Sequence, residues 1–159
     1  MEINEALNDV LNDLIMANND RIAGYEKAIE DAKDVDIDMK ATFKSMIDQS
    51  MLYKQELREI IEQNNGVVED DTSPSGKIYR AWIDIKSALP DSDHYIILES
   101  CEFVEDTTQR AYDVALTSGK ILDESVQRLL GEQQASLKKS HDLINTQKDA
   151  YEQLTSHNN

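Results

Sequence analysis

From Ile3 to Ala32 the apolar residues Ile3, Leu7, Val10, Leu11, Leu14, Ile22, Tyr25 and Ile29 return every three or four positions. That spacing lines one side of a long amphipathic helix, with Gly24 as its only weak point. KDVDID (33–38) is short and polar, which predicts a turn between antiparallel helices. A second helix then carries Met39, Phe43, Ile47, Leu57 and Ile61 and ends at Asn64, Asn65 and Gly66, where a left-handed cap is easily made. VVEDDTSPSG breaks the helical period and is read as a loop. KIYRAWIDIKSALP follows, with Ile78, Trp82, Ile85 and Leu89 on one narrow stripe of a short helix (about 76–89) stopped by Pro90. The expectation is a crossing element pressed onto the rest of the fold through Trp82. Asp91 or Ser92 would cap a third long helix reaching about Ser118. A fourth begins near Asp123, its step kept by Leu122, Val126, Leu129, Leu137, Ile144, Tyr151 and Leu154. Asp123 and Val126 do not complete a capping box, which leaves that boundary soft.

Four long helices, each with one apolar face and no strand-like alternation between them, predict a single all-α domain over residues 1–159, a four-helix bundle. The short first and last connections make their helices antiparallel. The long middle one can travel the length of the bundle and leave helices two and three parallel, the one-crossover arrangement of ferritin-like folds.

Placing each residue at about 100° per step around its helix shows which polar groups fall inside the apolar arcs. In ILESCEFVEDTTQRAYDVAL (97–116) the centre is marked by Ile97, Cys101, Val104, Thr108, Ala111 and Ala115. Glu105 lies within the arc beside Tyr112, Glu102 at its margin and Glu99 outside it. Asn18 and Arg21 interrupt the first stripe, with Tyr25 on it and Glu26 on its flank. Ser50 and Lys54 interrupt the second; Gln133 and Ser140 interrupt the fourth, with His141 alongside. Counted from the turns, Asn18, Arg21, Ser50, Lys54, Glu105, Gln133 and His141 reach similar heights, so a polar layer of these residues with Tyr25 is expected between apolar ends.

Such a layer must be satisfied, because a stranded buried charge is strongly destabilising. One solution is a salt-bridge layer in which Arg21 or Lys54 pairs with Glu105. The other is a metal site, for iron or another transition metal, using Glu26, Glu102, Glu105 and His141. A di-iron carboxylate bundle wants Glu-x-x-His pairs, yet Asp91, Lys138 and Leu154 stand three residues before His94, His141 and His157. A fixed cation such as Arg21 also disfavours a divalent ion. No cofactor is therefore expected.

Acidic residues outnumber basic ones 32 to 16, for a net charge of -16. This excess runs along the whole chain, which argues against nucleic acid and anionic membrane surfaces as partners. No apolar run approaches the roughly 20 residues of a membrane span. The lone Cys101 and an opening without signal-peptide character lead to a cytoplasmic expectation. Cys101, on a core stripe, is expected to be a buried inert thiol. SPSGKI lacks the first glycine and the hydroxyl residue of a phosphate-cradling loop, and no Ser or Cys beside His141 suggests a triad. Long bundles with flat sides commonly pair about a two-fold axis, so a homodimer is expected, with any other protein partner unknown.

NNDRIAGYEKAIEDA, SGKIYRAWIDIKSAL, ILESCE, AYDVAL and HDLI, spread from about Leu7 to Ile144, resemble a bacterial ferritin-like four-helix-bundle family of unknown function. The resemblance implies the same architecture in a soluble cytoplasmic protein and no established reaction. It matches family motif positions at Asn19, Asp20, Arg21, Tyr25, Glu102, Glu105, Asp106, Tyr112 and His141. Where that family commonly has a glycine before the second glutamate of its third-helix motif, this chain has Val104. The functional expectation is a non-catalytic helical protein acting through its surface, in stress physiology or as a scaffold. The alternative is a metal-binding or metal-oxidising protein with a degenerate carboxylate and histidine site.

Overall fold

The computed structural model describes residues 2–32, 37–70, 94–118 and 122–157. The crossing segment 76–89 with Trp82, the Asp91/Ser92 cap, and the side chains of Ile3, Tyr151 and Leu154 lie outside what is described. Within it the chain is all-α, with four long helices and no strand among the described residues: α1 Glu2–Ala32, α2 Ile37–Gln63, α3 His94–Leu116 and α4 Glu124–His157. No helix among the described residues is long and apolar enough to cross a membrane. The α2 helix starts inside the stretch expected to be a turn, since Ile37 and Asp38 are already helical.

The ends of the helices have local causes. At the end of α2, Asn65 takes φ 59°, a left-handed conformation that Asn tolerates better than most residues. The Gly66 N–H then donates to Ile61 O at 2.9 Å and the Asn65 N–H to Glu62 O at 3.0 Å, the paired bonds that satisfy the last carbonyls of a helix. At the start of α4, Asp123 caps alone: its Oδ1 accepts from the Val126 N–H at 2.9 Å and from the Ser125 hydroxyl at 2.7 Å. Those donors favour the carboxylate and lower its pKa. A capping box is thus not needed for the boundary to fall where the sequence places it.

Cross-helix bonds fix the directions. Asn8 meets Asn64 while Arg21 meets Ser50, so α1 and α2 are antiparallel. Asn18 meets Tyr112 while Arg21 meets Glu105, so α1 and α3 are antiparallel as well. Gln134 bonds Asp113 and Lys148 bonds Glu102, which sets α4 against α3. Hence α2 and α3 run parallel. Residues 64–70, just beyond α2, turn back along α1. Asn12 holds the Val67 carbonyl and the Glu69 N–H with its side-chain amide, at 2.9 and 2.8 Å. Asp70 is gripped by Asn19, Lys54 and Arg58 at 2.9, 2.8 and 2.7 Å.

The apolar interior is divided in two. One cluster joins Leu7, Leu11, Leu14 and Ile15 to Tyr53, Leu57 and Ile61, with Tyr112, Leu130 and Leu137. The other joins Tyr25, Ala28 and Ala32 to Met39, Phe43 and Met46, with Ile97, Leu98, Cys101, Val104 and Ile144. Between the two, buried Asn18, Arg21, Ser50, Glu105, Thr108, Gln133 and Ser140 form a polar layer.

Gly66 is where the departing chain meets α1 most closely. A Cβ there would stand 2.3 Å from Asn8 Nδ2 and 3.0 Å from Ile61 Cγ2, so the Asn8 side chain would have to swing away from Asn64. Gly66→Ala is expected to cost about 1 to 3 kcal/mol in urea unfolding. In an Asn8→Ala background the same change should cost clearly less, because the clashing amide is gone.

Candidate functional site

The polar layer contains the one fully buried ion pair among the described residues. Arg21 and Glu105, both 0% exposed, meet through Nε and Oε1 at 2.8 Å. A guanidinium has five N–H groups and accepts nothing, and here each donor direction is used. Nη1 donates to Ser50 Oγ at 2.8 Å and to the Met46 carbonyl at 3.1 Å. Nη2 donates to Gln49 Oε1 at 2.9 Å and lies 3.4 Å from Met46 Sδ. The Tyr25 hydroxyl donates to the same Glu105 Oε1 at 2.5 Å, and its ring lies 5.4 Å from the guanidinium carbon. Ser140 on α4 completes the web by donating to Gln49 Oε1 at 3.1 Å.

A second chain of bonds runs beside the first. Asn18 Nδ2 donates to the Tyr112 hydroxyl at 3.1 Å, which donates to Gln133 Oε1 at 2.6 Å. Gln133 Nε2 then donates to Glu56 Oε1 at 3.1 Å. Each web visits all four helices. Sliding any one helix by a single turn, about 5.4 Å, would break bonds in both webs, and sliding α1 against α3 would separate Arg21 from Glu105.

Electrostatically the centre is neutral, one guanidinium to one carboxylate. Burial, with the Glu105 charge adding to it, raises the Tyr25 pKa well above its usual value. The same two causes raise that of Cys101. Burial also raises the pKa of Tyr112. All three groups are therefore held in their neutral forms, which suits a layer that already has its balanced pair of charges. The neutral, buried Cys101 thiol is poorly suited to nucleophilic chemistry. Among the described residues, two acceptors in the layer have no partner, Asn18 Oδ1 and Glu105 Oε2.

Asn18, Arg21, Tyr25, Ser50, Glu105 and Gln133 are brought together here. Lys54 is not among them: its ammonium turns outward to Asp70 at 2.8 Å, because a long flexible stem lets the charge reach the surface. Glu105 therefore takes Arg21, not Lys54, as its cation. His141 sits at the edge of α4, 2.6 Å from Asp106 Oδ1 and 3.3 Å from Asn145 Nδ2, apart from the Arg21 web. Glu102 pairs with Lys148 at 3.1 Å, and Glu26 is exposed on α1. The four candidate metal ligands thus face different partners. Among the described residues no three His, Cys, Asp or Glu side chains gather where they could hold a metal ion. Among the described residues the four candidates do not form the donor set of a di-iron centre.

Gln49, Glu56 and Asp70 were missed by angular placement. Gln49 and Glu56 lie off the apolar arc and reach in with long side chains. Asp70 belongs to the connection, which carries no helical period.

Glu105→Ala should cost about 3 to 5 kcal/mol, because Arg21 would be left without its charge partner in the interior. Glu102→Ala removes a partly exposed pair and should cost about 0.5 to 1 kcal/mol. Glu99→Ala should unfold in urea indistinguishably from the unaltered protein. A Glu102→Ala loss equal to that of Glu105→Ala would contradict this order.

The model of one protein family, described as a domain of unknown function (DUF2383), matches residues 6–118. No curated protein matches the chain. The matched span takes in α1 from residue 6 onward, α2, α3 and the segments between them, and so includes both members of the buried ion pair.

Proposed function

The chain belongs to the DUF2383 family, a domain of unknown function, and from that premise we propose a non-catalytic ferritin-like four-helix bundle acting through its surface. In this reading residues 1–159 form one domain, the crossing segment 76–89 spans the bundle, and the protein works in the bacterial cytoplasm as a scaffold or in stress physiology. The observation that carries it is the engagement of Glu105. The carboxylate best placed to ligate a metal is bonded by Arg21 and Tyr25 through one oxygen. A dication at the other oxygen would sit beside a fixed guanidinium, which raises the cost of binding it. The layer is then an architectural element that sets helix register, and no cofactor is needed.

A homodimer fits the same reading. Met51 and Leu52 on α2 and Val114 on α3 are 50, 58 and 70% exposed, apolar surface that a second copy could cover. The charge of -16 opposes close approach, so association would strengthen as salt screens the repulsion.

Elemental analysis of protein purified without chelator or affinity tag tests the proposal. The expected result is no stoichiometric transition metal. A stoichiometric metal that disappears in both Glu105→Ala and His141→Ala would overturn the non-catalytic reading in favour of the metal-binding one.

A further inference from the structure

A groove of about 350 Å³ opens between α2 and α4, with Met46 and Gln49 on one wall and Ser136, Lys139, Ser140 and Leu143 on the other. That volume falls at the small end of ligand pockets. The groove lies directly outside the Arg21 web, and the web dictates what faces it. Arg21 can only donate, so the oxygen of the Gln49 amide must be the atom turned to it, and the Gln49 nitrogen is fixed on the other side. One N–H of that nitrogen goes to the Tyr53 hydroxyl at 3.2 Å; the second has no partner among the described residues. The hydroxyl of Ser136 and the ammonium of Lys139 have no hydrogen-bond or ion-pair partner among the described residues. Ser140 has one proton for two acceptors, Gln49 Oε1 at 3.1 Å and the Ser136 carbonyl at 3.4 Å.

Polar groups with donors to offer thus line the groove, and no lining residue is acidic in a chain with 32 carboxylate side chains. The nearby Asp142 stands 3.5 Å from His141 Nδ1 and is not part of the lining. Met46 and Leu143 add an apolar strip beside the donors. We propose that this groove binds a small monocarboxylate with a short aliphatic chain. Its carboxylate accepts from Lys139, Ser136 and the second Gln49 N–H, and its chain lies along Met46 and Leu143. The overall charge selects a monoanion, because polyanions such as nucleotides or nucleic acids meet the full repulsion of the acidic surface.

Hexanoate is the probe, titrated into the full-length protein and followed by calorimetry and by amide NMR. Saturable binding is expected, with movement of the Gln49 side-chain NH₂ signals. Lys139→Gln should weaken it about tenfold, the effect of losing one charge-assisted hydrogen bond. Lys138→Gln changes the net charge equally at another exposed position of α4 but lies outside the groove, and should leave the affinity unchanged. Inorganic phosphate should not saturate. The proposal is overturned if hexanoate fails to saturate, if Gln49 does not respond, if the two lysine variants weaken binding alike, or if phosphate binds as well as hexanoate.

Discussion

The buried contact between Arg21 and Glu105 is the constraint on which the arrangement of the helices depends. A charge removed from water is tolerated only when it is paired and its remaining hydrogen-bonding groups are met. Here the guanidinium finds Glu105 on α3, three acceptor groups on α2 and the face of Tyr25 on its own helix. Apolar packing alone would tolerate many small shifts of one helix past another, since leucine contacts are not directional. A guanidinium fork is directional, and it ties α1 to two neighbours at one height. Dividing the core into two apolar halves reduces the amount of continuous hydrophobic surface. In return it makes other registers expensive.

That trade also bears on chemistry. Carboxylates inside helical bundles serve as metal ligands when several converge and cations stay away. In this chain the buried carboxylate has a resident cation, while Glu102 pairs with Lys148, His141 turns to Asp106 and Glu26 faces solvent. Tyrosine and cysteine neighbours are held neutral by burial and by the Glu105 charge. Among the described residues, exposed apolar side chains stand on α2 and α3, and the α2–α4 groove opens beside the web.

Much of this was legible in the sequence. Helical spacing gave four helices close to their observed limits, and polar residues on apolar stripes pointed to Asn18, Arg21, Ser50, Glu105 and Gln133. Angular position describes where a side chain leaves the backbone, and for short or rigid groups that decides its surroundings. It failed for long ones. Lys54 starts on the stripe but carries its charge to Asp70, whereas Gln49 starts beside it and reaches inward to Arg21. The partners of Asn8 and Asn12 were equally hidden, because they belong to a non-periodic connection that folds back along α1. The matched family shares this span without adding a reaction to it.

The most direct test of the central claim is a double-mutant cycle between Arg21→Met and Glu105→Leu, measured by urea unfolding. If the pair fixes the layer, each single change strands a charge. Removing both together should then hurt less than the sum of the two, with a coupling of about 2 kcal/mol or more. Losses that add would show that the two residues stabilise the protein independently, and that the layer is held by something other than their contact.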